Sequence, residues 1–165
     1  MSSADLNVTK WGLYFAGRFF PASIGKTGIT ANKREGDNAT PSGNHKIISV
    51  LYRPDRVRKP CDWAKTIKPY DIWSDDVKDP NYNRIGKHPY GYNHEVLSRP
   101  DPLYDVILLT DWNWPLTTKG KGSAIFVHSW RRPRHPTEGC IALASHHLLW
   151  ITKRLKPYSK IIVRK

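Results

Sequence analysis

The pattern of apolar and polar positions predicts short strands along most of the chain and one helix near its end. Apolar and aromatic residues between positions 8 and 24, interrupted by glycines, are typical of a meander of short strands. A polar, glycine-bearing loop at 25–44 leads into an apolar run at 45–52 that predicts a buried strand. Two further runs rich in β-branched and aromatic residues, 104–112 and 123–130, predict central strands.

The segment 144–158 has the features of a helix. Leu148, Ile151 and Leu155 recur at helical spacing, Ser145 is suited to cap the first turn, and Pro157 ends the pattern. An apolar run at 160–164 predicts a last strand. Strand-rich sequence with one late helix predicts a mainly β domain with the helix packed on its sheets.

The pattern breaks down between residues 53 and 103. Seven of the thirteen prolines lie there, together with Trp63, Tyr70, Trp73, Tyr82, Tyr90 and Tyr92. Because proline cannot donate to a strand ladder, we expect a long and mostly irregular loop region. Two interpretations stay open: a functional lid or binding loop, and a proline-rich cover of the surface.

Length and charge narrow the class of protein. A chain of 165 residues predicts one domain, here 1–165. No apolar run approaches the length of a membrane span, and the N-terminal residues have no export-signal pattern. The formal net charge of +13 indicates a polyanionic partner, either nucleic acid, an anionic membrane face or a cell-wall polymer.

The segment 126–143 is the strongest candidate for chemistry. Cys140 follows Gly139 at the end of a basic turn, and His128 or His135 could act as its base. Gly139 allows a sharp turn in which the amides of residues 139 and 140 face a developing oxyanion. Three alternatives stay open: a buried structural cysteine, a bridge between Cys61 and Cys140, and a zinc site formed by His128, His135 and Cys140 with His146 or His147.

These motifs carry a resemblance to a known family. His-Ser at 128–129 and TEGCIAL at 137–143, preceded by GDNATPSGN at 36–44, resemble the YkuD-type L,D-transpeptidase catalytic domain over about residues 10–165. The sequence is similar to a compact branch with TEGC in place of SHGC. The resemblance implies a mainly β, YkuD-like β-sandwich of mixed sheets, with one helix after the catalytic cysteine and a long irregular active-site loop.

The resemblance also implies an activity and its residues. Cys140 would be the nucleophile, His128 the general base, the Ser129 backbone carbonyl the group that orients the imidazole, and the Gly139 amide an oxyanion donor. The thiol would form a thioester on the diaminopimelate residue of a peptidoglycan stem peptide, without a cofactor or a metal. The implied partners are these stem peptides, with carbapenem-type β-lactams as covalent inhibitors.

Three departures from the family pattern affect this expectation. Glu138 replaces the family's histidine, Ala142 replaces a common arginine or asparagine, and the interval from His128 to Cys140 is short. A carboxylate beside a thiol raises its pKa. Other arginines are available for a substrate carboxylate: Arg84, Arg99, Arg131 and Arg132. The compact motif is associated with 1,3 links, which join diaminopimelate to the L-alanine amine.

The candidates for substrate binding share a capacity to bind amines or carboxylates. They are Thr137, Glu138, His94, Glu95, Tyr92, Arg84 and Arg131. For the residues of the aromatic loop, a hydrogen-bonded loop anchor is the structural alternative.

Other functions remain open on the sequence alone. Hydrolysis of the thioester would make the protein an L,D-carboxypeptidase or amidase. A single-strand nucleic-acid binder is an alternative from another class, but the basic residues are scattered and no nucleic-acid motif accompanies them, so we expect no nucleic-acid partner. A further alternative is a module that binds the cell wall without catalysis. The family's substrate indicates the periplasm or cell envelope.

Overall fold

The structure is a computed structural model that describes residues 5–165, so residues 1–4 of the predicted domain lie outside the described part. The one α-helix of this part, α1, spans Ser145–Thr152, and a 3-10 turn spans Pro102–Tyr104. The strands are β1 (Leu6–Thr9), β2 (Gly12–Phe15), β3 (Arg18–Phe20), β4 (Ala22–Ser23), β5 (Ile29–Thr30), β6 (Thr40–Pro41), β7 (Gly43–Tyr52), β8 (Ala64–Thr66), β9 (Asp71–Ser74), β10 (Ile85–Lys87), β11 (His94–Val96), β12 (Val106–Thr110), β13 (Phe126–Ser129), β14 (Ile141–Leu143) and β15 (Lys160–Val163).

Most strands belong to one mixed sheet with the order β3-β2-β1-β15-β7-β12-β13-β14-β4, to which β8 adds on β7. Three of its pairs are parallel: β1 with β15, β7 with β8, and β13 with β14. The two ends of this order, β3 and β4, are separated in the chain by Pro21 alone. The sheet therefore curls back on itself around a core.

The central strand β12 is buried on both faces. Val106 and Leu108 join a core with Leu148 and Ile151 of α1, whereas Ile107 and Leu109 join a second core with Trp73 and Phe126. This alternation follows the two-residue period of a strand. The second core lies between the main sheet and a smaller antiparallel sheet, β10-β9-β11. The predicted mainly β fold with mixed sheets and one helix after Cys140 is confirmed.

The region 53–103 is more regular than the sequence predicts. It contains β8, β9, β10 and β11, three of which form the smaller sheet. Its prolines all lie outside these strands, where they interrupt no ladder. Strands of three or four residues are too short to produce a readable alternation, which is why the sequence pattern does not show them.

The helix is shorter than predicted. Ala144 is the N-cap residue and Ser145 is the first helical residue, so the prediction that Ser145 caps the helix is wrong. The cap position falls immediately after β14, and α1 ends at Thr152 rather than before Pro157. Leu155 lies beyond it in a turn that leads to β15. Among residues 5–165, no helix is long and apolar enough to cross a membrane.

Candidate active site

The parallel pair β13 and β14 brings Cys140 and His128 to one face of the sheet. His128 pairs with Ala142, and Cys140 lies two residues before Ala142, so the three side chains share a face. This face forms the floor of a cleft of about 600 Å³. The cleft is lined by Lys26, Asn38, Glu95, Arg99, Leu103, Tyr104, His128, Trp130, Arg131, His135, Pro136, Thr137, Glu138, Cys140 and Ala142.

The Cys140 thiol is held by backbone groups of the neighbouring strand. Its Sγ–H donates to the Ala124 carbonyl at 3.0 Å, and the Phe126 N–H donates to Sγ at 3.4 Å. Burial raises the pKa of this thiol to about 12, with Glu95 and Glu138 also raising it. The thiol is therefore protonated at neutral pH. Cys61 and Cys140 are both free, so there is no bridge between them.

His128 is a neutral base with a fixed tautomer. Its Nδ1 lies 2.8 Å from the Ser129 carbonyl oxygen, and because a carbonyl only accepts, Nδ1 carries the proton. The Nε2 lone pair is left to take a proton. The imidazole is 7% exposed, and burial lowers its pKa to about 4, with the nearby Arg99 cation also lowering it.

The turn that carries the cysteine rests on Thr40, from the distant 36–44 motif. The buried Thr40 hydroxyl accepts from the Gly25 N–H and donates to the Gly139 carbonyl, each at 2.8 Å. Gly139 has φ +144°, and a Cβ there would lie 2.9 Å from the Ala39 carbonyl oxygen. A residue with a side chain is therefore excluded at position 139 by the approach of this motif.

The Thr137 hydroxyl closes the same turn. It accepts from the Gly139 N–H at 3.1 Å and donates to the Cys140 carbonyl at 2.6 Å. The Gly139 amide, predicted to face the oxyanion, therefore donates to the Thr137 hydroxyl in this structure. The reason is that threonine two residues before an amide readily forms this local turn.

Asp37 and Lys33 stabilise the loop beneath the cysteine turn. The Asp37 carboxylate accepts from the buried Lys33 ammonium and from the N–H groups of Arg34 and Ala39. These bonds hold the pKa of Asp37 below its usual value despite partial burial. The Gly-Asp element at 36–37 thus has a structural explanation: it folds the loop that delivers Thr40.

The opposite wall of the cleft is made of side chains. The Tyr104 hydroxyl donates to Glu95 Oε2 at 3.3 Å, and its ring stands edge-on to His128 with the centroids 5.2 Å apart. Arg99 binds Asp101 through two nitrogens and lies 4.0 Å from Glu95. Burial raises the pKa of Glu95 and raises that of Tyr104 well above its usual value.

The structure divides the predicted binding residues into two groups. Thr137, Glu138, Glu95 and Arg131 line the cleft. Arg84, Tyr92 and His94 do not. The exposed Arg84 donates to the Pro115 carbonyl at 3.2 Å, and His94 Nδ1 lies 2.7 Å from the Tyr92 carbonyl oxygen.

Strand geometry explains why His94 and Glu95 separate. Both lie in β11, where neighbouring side chains point to opposite faces. Of these two candidates, only Glu95 therefore faces the cleft. Sequence reasoning also missed Tyr104, because a single tyrosine in an apolar segment gives no signal of its own.

No group of three or more His, Cys, Asp or Glu side chains within residues 5–165 is arranged to hold a metal ion. His146 and His147 lie on α1, and the cleft lining does not include them. The zinc alternative therefore has no ligand set in the described part of the chain.

The fold and the cleft define a mainly β domain with a cysteine and a histidine on adjacent parallel strands. The chain belongs to the YkuD family of L,D-transpeptidase catalytic domains, whose family model matches residues 11–163. The resemblance expected from the motifs is thus confirmed at the level of the family. No curated protein matches the sequence.

Solved structures of mycobacterial L,D-transpeptidases are among those to which the chain is similar. One from Mycobacterium smegmatis is 14% identical with a TM-score of 0.46, and the match covers 98% of this chain and 59% of that one. L,D-transpeptidase 3 from Mycobacterium tuberculosis, solved with a faropenem-derived adduct, is 15% identical with a TM-score of 0.48, covering 97% and 59%. The chain thus spans about three fifths of the length of these two proteins.

Proposed function

We propose that the protein is a peptidoglycan L,D-transpeptidase that works through a thioester on Cys140. The observation that carries the proposal is that the Cys140 thiol and the tautomer-fixed His128 imidazole line one cleft on the same face of the sheet. Because the thiol pKa is high and the imidazole pKa is low, no thiolate–imidazolium pair exists at rest. The proton therefore moves from Sγ to His128 Nε2 as the sulfur attacks.

The reaction balances as two acyl transfers. Sγ attacks the carbonyl at the L-centre of diaminopimelate, the bond to the terminal D-alanine nitrogen breaks, and His128 returns the proton to that leaving amine. An acceptor amine then attacks the thioester, gives a proton to His128, and releases the Cys140 thiol. The Ser129 carbonyl holds the imidazole in one tautomer throughout.

The backbone amide of Cys140 is the donor we assign to the oxyanion. It precedes Ile141, the first residue of the β13–β14 pairing, whereas the Gly139 amide is engaged by Thr137. A donor at this place stabilises the charge that develops on the carbonyl oxygen in both transfers.

The cleft contains both acidic and basic side chains that could bind a diaminopimelate peptide. Glu95 and Glu138 suit its amine, and Lys26, Arg99 and Arg131 suit its carboxylates. We propose the L-alanine amine of a second stem as the acceptor, giving a 1,3 link. The compact motif supports this choice, as does the small Ala142 side chain opposite His128, which leaves room for an acceptor at that point.

We also propose that carbapenem-type β-lactams acylate Cys140. A related protein, LdtMt1, has been solved in complex with imipenem. The carbonyl of a β-lactam is open to the same attack, with the ring nitrogen as the leaving group. The substrate indicates that the protein works in the cell envelope.

The test is mass spectrometry of products from a disaccharide tetrapeptide that contains diaminopimelate. We expect the wild type to release D-alanine and form cross-linked dimers, and Cys140→Ala to do neither. Cys61→Ala is the matched control, because it removes the other free thiol, and it should retain activity.

Fragmentation of the dimer distinguishes a 1,3 link from a 3,3 link. Release of D-alanine without dimers would indicate that the protein is a carboxypeptidase that uses the same cysteine, and not a transpeptidase. Turnover by Cys140→Ala, or none by the wild type, would contradict the proposal.

A further inference from the structure

Most of the net positive charge of the protein lies in two segments of the chain. Segments 6–34 and 139–165 contain eleven lysines and arginines and no aspartate or glutamate, while thirteen of the fourteen acidic residues lie within 35–138. The two terminal segments are neighbours in the fold, because β1 pairs with β15 and β4 pairs with β14. The basic residues are scattered along the sequence, but the fold gathers the acid-free parts on one side.

An aromatic strip lies on the outer face of this acid-free part. It consists of Trp11, Tyr14 and Phe19, which are 65%, 50% and 42% exposed. The Tyr14 and Phe19 rings are 4.9 Å apart on paired strands. Their neighbours Leu13 and Phe20 point into the core. Trp11 lies in the turn between β1 and β2, next in the chain to the strand that carries Tyr14. Exposed aromatic rings of this kind are a common feature of binding surfaces.

The strip is supported by the backbone beneath it. At Gly12, with φ +154°, a Cβ would lie 2.7 Å from two carbons of the Phe19 ring. Glycine therefore allows this ring to lie directly against the β2 backbone.

Two cations stand at the Trp11 end of the strip. Lys10 Nζ lies 4.8 Å from the centre of the Trp11 ring, and Arg134 donates to the Trp11 carbonyl at 3.4 Å. Arg18 and Arg154 stack on the Trp150 ring, at 4.9 and 3.8 Å, but this ring packs against Phe15 and Phe20 on the core side of the strands and is not part of the strip.

We propose that the aromatic strip and the cations at its Trp11 end form a docking surface for a membrane rich in anionic phospholipids. Tryptophan and tyrosine partition to the headgroup level of a bilayer, and each lysine or arginine near an anionic surface strengthens binding about fivefold. The outer face of a curled sheet is convex. Such a face presents its rings to a flat surface, whereas a polymer strand is held best by a groove that contacts it on two sides.

The docking surface adjoins the rim of the cleft. Arg134, which contacts Trp11, belongs to the same loop as Arg131 and His135, which line the cleft. Docking would therefore hold the cleft close to the bilayer surface. This inference does not depend on the reaction proposed for Cys140.

The test is co-sedimentation of the full chain with large unilamellar vesicles. Vesicles of equal parts phosphatidylglycerol and phosphatidylethanolamine are compared with pure phosphatidylcholine. We expect the wild type to bind the anionic vesicles at least about tenfold more tightly. The triple variant Trp11→Ser, Tyr14→Ser, Phe19→Ser should lose at least about tenfold in binding to them.

A pair of charge variants separates a localised surface from net charge alone. Lys10→Glu, Arg134→Glu reverses the cations of the surface. Arg58→Glu, Lys65→Glu makes the same change of net charge at exposed positions away from the strip. The first double variant should lose more than about tenfold in binding and the second less than about threefold. Near-ultraviolet circular dichroism checks that both remain folded.

Three outcomes would overturn the proposal. The first is no preference of the wild type for anionic vesicles, and the second is an equal loss in the two charge variants. The third is tighter binding to purified sacculi or to a single-stranded DNA oligonucleotide than to vesicles, lost in the same variants. That result would assign the surface to a wall polymer or to nucleic acid.

Discussion

The two walls of the cleft are built in different ways. The wall with the cysteine turn depends on backbone groups and buried hydroxyls: Thr40 binds the Gly139 carbonyl, and Thr137 closes the turn. The opposite wall depends on charged and aromatic side chains, chiefly Glu95, Arg99 and Tyr104. The first wall fixes the position of the reacting atoms, and the second sets charge and shape. We therefore expect substitutions in the first wall to affect rate and stability, and those in the second to affect substrate binding.

The largest effect is expected from His128→Gln. Glutamine keeps a polar side chain of similar size but cannot act as the base, so the acylation rate of Cys140 should fall by about 10²–10⁴. The measurement is adduct formation with imipenem, followed by intact mass spectrometry. His94→Gln is the matched control outside the cleft and should acylate at the wild-type rate. Equal rates in all three proteins would remove His128 from the mechanism.

The free energy of unfolding is expected to depend on pH through His128 as well. His128 is neutral in the fold with a pKa of about 4, below the usual 6.5, so the folded state binds fewer protons than the unfolded one. The stability linked to this group is complete above pH 6.5 and is lost as the pH falls through 4. The difference between the two pKa values corresponds to about 3 kcal/mol of unfolding free energy. Urea unfolding between pH 7 and 4 should show this loss in the wild type but not in His128→Gln.

Thr40→Val tests the support of the cysteine turn. It leaves the Gly25 N–H and the Gly139 carbonyl without their buried partner, so we expect about 2 kcal/mol lower stability and about tenfold slower acylation. Thr30→Val is the control, because that hydroxyl accepts from the Asn32 N–H in a more exposed place. If both valine variants behave alike, Thr40 has no special role in placing the cysteine.

The smallest effect is expected from Glu95→Gln in the opposite wall. Removing this carboxylate removes a charge that raises the Cys140 pKa, so alkylation of Cys140 by iodoacetamide at pH 8 should become about threefold faster. The rate at Cys61 in the same sample is the internal control. We also expect a several-fold higher KM for the tetrapeptide with little change in kcat. Unchanged alkylation and KM would exclude Glu95 from both roles.

The sequence predicts the chemical centre better than its surroundings. Cys140, His128 and the 36–44 motif can be found from residue types and order alone. The contact between Thr40 and Gly139 joins residues 99 apart in the chain, so local patterns cannot predict it. The same holds for the Gly139 amide, whose partner depends on the conformation of one turn.

Other features were missed because they depend on strand phase or on packing between elements. His94 and Glu95 are adjacent in sequence but fall on opposite faces of β11. The strands of the 53–103 region are too short to give a pattern, and Tyr104 meets His128 only because the 3-10 turn packs against β13. The polarised charge becomes visible only when the pairing of β1 with β15 is known.

The most direct test of the central claim is to trap the acyl-enzyme on the natural type of donor. The wild type is mixed with a disaccharide tetrapeptide, quenched in acid within its first turnovers, and examined by intact mass spectrometry and peptide mapping. We predict an adduct equal to the donor minus D-alanine on the peptide that contains Cys140. Release of D-alanine with no adduct on Cys140, or with the adduct on another residue, would contradict it.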